Sequence, residues 1–171
     1  NRMFSENGVI NQMLGSIGLK GVEWLYRPGP AKIMLIILIV WKGLGYTTLL
    51  YLSGLQGVNT EYYEAAELDG ANAAQKFFSI TLPLIAPMTF YILVTGVMNA
   101  LQLYTEPTIM FPYNQGKGPM DGTSTIMVLL YYQYNTLHNM GSASAIAWVL
   151  AVMIMLVTAL QFYVNNRRQK D

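Results

Sequence analysis

Cysteine is absent from this 171-residue chain and histidine occurs once, at His138. Disulfides and thiolate metal centres are therefore excluded. One imidazole without a partner supplies neither a metal cage nor a nucleophilic triad, so His138 reads as a loop residue. Charge is also scarce: acidic and basic side chains make up 11% of the chain, where a soluble domain carries roughly 25%. A formal net charge of +1 offers no basic field to nucleic acid, which is excluded as a partner. A G-x-x-x-x-G-K-[ST] phosphate loop is missing as well. In the nearest stretch Phe111 stands where the first Gly belongs, and Gly118 follows Lys117 where Ser or Thr is required. The chain is expected not to hydrolyse ATP, not to be an enzyme and to need no cofactor.

What is present is hydrophobic, 53% of all residues. Three stretches suffice to cross a bilayer, which takes about 20 mainly apolar residues: 33–55, 84–110 and 142–164. Buried helices of a soluble protein are the competing reading, but three such spans would leave little to face water. The expected fold class is all-α integral membrane, in one partial domain. Residues 1–32 form an outer segment with a short surface helix, VINQMLGSIGL, before the break RPGPAK. Residues 56–83 form a cytoplasmic loop and 111–141 an outer loop, in which TIMVLLYYQY suits a short helix capped by Thr123 or Ser124. Residues 165–171 form a cytoplasmic tail, since NNRRQK should stay inside. That orientation leaves Arg2, Lys20, Arg27 and Lys32 outside, against the same rule. The start, NRMFSENG, has neither an initiator Met nor a signal-peptide pattern, and is expected to lie inside a longer protein.

Between the first two spans lies EAAELDGANAAQKFFSITLPL, residues 64–84. Asn59 or Thr60 can cap a helix whose first turn carries Glu61 and Glu64, where the helix dipole favours negative charge. Gly70 stands where that helix must stop, because Gly takes the left-handed C′ conformation without steric cost. Asn72 can cap a second helix, and Pro83 opens the next span. The segment is a helix–Gly–helix elbow whose alanines permit close approach by another molecule. Taken alone, this supports a docking site for a cytoplasmic partner.

Glu64-Ala65-Ala66, three residues, Gly70, nine residues, Ile80, one residue and Leu82-Pro83 resemble the EAA motif of permease subunits in binding-protein-dependent ABC importers. The stretches from Ile39 to Ala71, GKGPMDGTSTIMVLLYY and MGSASAIAWVLAVMIMLVTALQ are similar to the carbohydrate-importer branch, in particular to the MalF-type half of a MalF/MalG-like pair with a MetI-like transmembrane fold. Lys117 in the Gly-rich loop departs from the pattern, and such permeases have more core spans than the three seen here. The resemblance implies that the elbow is a coupling helix seated in an ATPase subunit. Glu64 would supply charge, Ala65 and Ala66 close contact, and Gly70 the turn. It also implies a second, MalG-like permease subunit, two copies of an ABC ATPase, an extracytoplasmic solute-binding protein, a sugar substrate, and a multi-pass place among the lipids of the cytoplasmic membrane. A non-sugar solute such as glycerol-3-phosphate or a polyamine, and a non-transporting scaffold or receptor, are the alternatives.

The second span carries Thr95, Asn99, Gln102 and Glu106 at i, i+4, i+7 and i+11, one polar face of an apolar helix. Such groups line a substrate path or bond neighbouring helices; both satisfy the rule that lipid cannot solvate them. Tyr46 shares a face of the first span with Lys42, and Lys42 either pairs with a carboxylate or snorkels. Ala143, Ala147 and Ala151 read as a close-packing seam. Tyr104 and Tyr131 are candidates for sugar stacking, against an aromatic belt as the default.

Overall fold

The computed structural model describes residues 4, 5 and 8–168, and every described element is helical. The start at Asn1, Arg2 among the outer basic residues, and Gln169–Asp171 of the tail lie outside the described residues. In chain order the helices are α1 (Val9–Ser16), α2 (Pro28–Gln56), α3 (Glu61–Leu68), α4 (Ala73–Lys76), a wide π-helical turn (Phe77–Thr81), α5 (Leu82–Leu84), α6 (Ala86–Leu101), α7 (Thr105–Met110), two 3-10 turns (Pro112–Asn114 and Pro119–Asp121), α8 (Ile126–Asn135) and α9 (Met140–Arg168).

Two of these, α2 and α9, are each 29 residues long and apolar enough to cross a membrane. The third candidate is a bent pair, Ala73–Leu84 with Ala86–Leu101, whose halves meet at 60°. The expected straight helix over 84–110 is thus interrupted twice. At the first break Pro83 and Pro87 flank Ile85, and Pro87 has no N–H to bond the Pro83 carbonyl, so the α-ladder cannot continue. At the second, α6 ends at Leu101 and Pro107 withholds the N–H that Leu103 would need. The Thr125 hydroxyl donates to that Leu103 carbonyl instead, at 2.5 Å.

The chain divides into two compact units. The first comprises the residues up to Lys42 together with Met98–Leu160. Its core is Ala31, Met34, Met110 and Phe111, with Phe4, Trp24, Leu25 and Leu38 packed against it. The N-terminal segment is fixed to this core by Asn11. Its carboxamide oxygen accepts from Val22 N (3.0 Å) and Trp24 Nε1 (2.9 Å), and its amide donates to the Val22 carbonyl (3.0 Å). The loop after α7 is bonded internally: Asn114 brackets Gly118 from both sides, and the Thr123 hydroxyl donates to the Gly116 carbonyl at 2.9 Å. With its hydroxyl so engaged, Thr123 does not cap α8. Thr125 does, accepting from Val128 N at 3.1 Å, which corrects the expected Thr123 or Ser124. In α9, Ala143 and Leu150 are buried, whereas Ala147 and Ala151 are exposed. The inward face therefore follows Ala143, Ile146 and Leu150 and departs from the alanine seam.

The second unit comprises Gly43–Val97 and the end of α9 from Gln161. It holds the elbow and is tied by close contact of Gly54 with Met88 and an edge-to-face pair, Phe90 with Phe162, at 5.1 Å.

Candidate functional site

The elbow forms from local rules. Helix α3 begins at Glu61 behind Thr60, but the Asn59 carboxamide makes the cap contact, accepting from Glu61 N at 3.1 Å. The helix ends in a Schellman motif: Ala71 N donates to the Ala66 carbonyl (2.9 Å) and Gly70 N to the Glu67 carbonyl (3.0 Å). Gly70 sits at φ +77°, the left-handed conformation that this motif requires. Helix α4 then starts with a complete capping box, Asn72 accepting from Gln75 N (3.0 Å) while the Gln75 side chain accepts from Asn72 N (2.8 Å).

Two tertiary bonds hold the limbs of the elbow together. Lys76 Nζ meets Glu67 Oε1 at 2.6 Å. The Tyr63 hydroxyl pairs with that of Thr81 at 2.8 Å, inside the π turn. The Lys76 ammonium, first through its hydrogen bond and then through its charge, holds the Glu67 carboxyl below the usual carboxylate range. Between the limbs lies a cleft of about 320 Å³ bordered by Ala66, Asp69, Gly70, Gln75, Lys76 and Ile80. Glu64, Ala65 and Gly70 are exposed and Ala66 half-buried. Leu68, at the tip of α3, is 91% exposed, and Phe78 is 65% exposed. An outward-facing leucine at the end of an acidic helix costs free energy unless it is covered, and covering it contributes roughly 1.5–3 kcal/mol. Leu68, Tyr63 and Lys76 were not singled out as site residues from the sequence. An apolar residue two positions before a helix-ending Gly, in an otherwise acidic stretch, was the available signal for Leu68; the two ties cross 9 and 18 positions and carry no local signature.

The expected polar stripe is divided by the end of α6. Thr95 is half-buried and its hydroxyl donates back to the Tyr91 and Ile92 carbonyls, at 2.9 and 3.3 Å. Asn99 and Gln102 are exposed. Glu106 belongs to α7 and does not continue the α6 ladder. It is paired with Lys42 Nζ at 2.6 Å, so Lys42 takes the carboxylate of the two expected options. Tyr46 is 63% exposed. Tyr104 and Tyr131 stack on each other, centroids 4.1 Å apart, so each covers one face of the other. The Lys117 ammonium lies 3.3 Å over the Tyr132 ring, which anchors the loop against α8. No group of three or more metal-ligating side chains occurs among the described residues.

The family model described as "Binding-protein-dependent transport system inner membrane component" matches residues 9–170. The chain is 38% identical over 165 residues to the probable ABC transporter permease protein YesP of Bacillus subtilis (strain 168), covering 96% of this chain and 52% of that protein. It is 35% identical over 170 residues to the arabinooligosaccharides transport system permease protein AraP of Halalkalibacterium halodurans, covering 98% and 53%. Among solved structures it resembles a chain of a bacterial alginate ABC transporter, crystallised in complex with an alginate pentasaccharide-bound periplasmic protein. The TM-score is 0.83 at 27% identity, covering 99% of this chain and 58% of that one. The chain thus spans about half the length of the curated relatives it matches.

Proposed function

Because this chain belongs to the family of binding-protein-dependent transport system inner membrane components, we propose that it forms the coupling half of a multi-pass permease subunit that moves a sugar across the membrane. The observation that carries the reading is the elbow: a complete EAA spacing folded as two short helices about a left-handed Gly70, with Glu64, Ala65 and Leu68 turned outward. A separate ATPase subunit, in two copies, seats the elbow. Glu64 offers it charge, Ala65 and Ala66 permit close approach, and Gly70 fixes the turn. The Lys76–Glu67 and Tyr63–Thr81 ties make the elbow a stiff lever, and α4 runs from it directly into the bent span. Closing of the ATPases thereby changes the relative stability of inward-open and outward-open states. A second, MalG-like permease completes the path and an extracytoplasmic binding protein delivers the solute. Asn99 and Gln102 in the first unit, and Thr95 and Tyr46 in the second, each carry hydrogen-bonding groups suited to a hydroxyl-rich solute. Support for a sugar comes from the relatives' names, which cite arabinooligosaccharides and alginate.

The test uses the full-length subunit assembled with its ATPase. Single cysteines at Ala65 and Ala66, with any cysteines elsewhere in the full-length subunit replaced, are expected to crosslink to the ATPase with yields that change with nucleotide. Absence of crosslinks in an inserted, ATPase-containing assembly sinks the coupling reading and favours a scaffold. A Gly70→Pro subunit that still inserts is expected to lose uptake; retained uptake would count against the elbow.

A further inference from the structure

Lys42 stands at the centre of α2, with fourteen of its 29 residues on either side (28–41 and 43–56). A four-carbon stem does not bridge the ~15 Å from a bilayer midplane to its headgroups, so a lysine placed there must find its partners at that depth. Its acceptor among the described residues is Glu106, at 2.6 Å. The two ends of the pair differ: the Glu106 side chain is 14% exposed and the Lys42 side chain 68%. An ammonium carries three donors, and hydrocarbon cannot satisfy those left over. The open side of Lys42 therefore faces water or polar groups. Gln102, exposed and four residues before Glu106, lies in the same unit.

We infer that the Lys42–Glu106 pair sets the charge selectivity of the translocation path, with Glu106 cancelling the Lys42 cation so that the path accepts a neutral, hydroxyl-rich solute and disfavours ionised ones. The inference rests on the permease reading above and deepens it, naming an uncharged saccharide as the substrate class. Glu106 is a specificity-determining residue through its effect on Lys42. Removing its charge leaves a cation at mid-depth that attracts anions such as uronates or phosphate esters.

The local potential can be read without knowing the sugar. In the assembled full-length importer, with cysteines elsewhere replaced, Gln102→Cys is treated with methanethiosulfonate reagents that are anionic, cationic or neutral. Glu106→Gln is expected to raise the anionic-to-cationic ratio of reaction rates about fivefold, as one uncompensated charge at intermediate dielectric would. Lys42→Gln should lower it by a similar factor, and the double variant should return it to the parent value. Opposite shifts that cancel do not arise from misfolding, and the neutral reagent reports access independently. If the neutral reagent reacts while the ratio stays fixed across all variants, the charge role is overturned and the path stands. If the neutral reagent fails to react with Gln102→Cys in any state, the path reading falls and the inference with it.

Discussion

Gly70 and Gly118 both have positive φ, for different reasons. A Cβ at Gly70 would meet nothing within 4 Å, so the demand there is purely conformational. Gly70→Ala is expected to cost about 1 kcal/mol in the turn and to lower uptake while leaving insertion intact, measured in vesicles. At Gly118 a Cβ would lie 2.3 Å from Thr123 Oγ1, the atom that bonds the Gly116 carbonyl. Gly118→Ala adds displacement of that hydroxyl to the backbone strain. A loss of about 2–3 kcal/mol should appear as a lower thermal midpoint of the purified assembly. The elbow tolerates a side chain at its glycine better than the loop after α7 does, because one turn points into open space and the other is packed on itself.

At the scale of elements, the elbow is two short helices that would not persist alone, since isolated helices under 12–15 residues are marginal in water. Caps and cross-ties compensate. Asn72→Ala removes the capping box and is expected to cost about 1 kcal/mol, seen as faster amide exchange through α4. The Glu67–Lys76 tie is pH-dependent with a definite sign. Glu67 has a lowered value in the folded protein, so its contribution is complete above its unfolded value and is lost as pH falls through the lowered folded one. Distances between spin labels on α3 and α4 should therefore broaden only in acid, and Glu67→Gln should show the broad distribution at neutral pH. A distribution that stays narrow in acid would mean that Tyr63–Thr81 suffices.

At the scale of the molecule, Lys42 and Glu106 are 64 positions apart and join the middle of α2 to α7. Lys42→Met leaves the more enclosed Glu106 without its partner, a loss on the order of 1–3 kcal/mol. Lys42→Met with Glu106→Leu should recover most of it, since apolar replacement of both members of an enclosed pair is often neutral. Thermal midpoints of the single and double variants give the coupling directly. A double variant no better than Lys42→Met would show that the pair contributes nothing beyond packing.

The helical, membrane-crossing character of the chain and the anatomy of its elbow were legible in the residues themselves. Span length follows from apolar runs, and the Gly70 turn and Asn72 cap are set by neighbours within five positions. The ends of the middle helix were less legible. Pro83, Pro87 and Pro107 were visible, but whether a proline bends, starts or stops a helix depends on what satisfies the carbonyl it leaves without a donor, and for Leu103 that is Thr125, 22 positions away. The cap of α8 was misplaced by one or two residues because Thr123 makes its bond across the loop. The partner of Lys42, the mutual stacking of Tyr104 and Tyr131, and the buried face of α9 belong to tertiary structure alone. Each depends on contact between segments distant in sequence, and a side chain's local pattern states what it requires without stating which distant group supplies it.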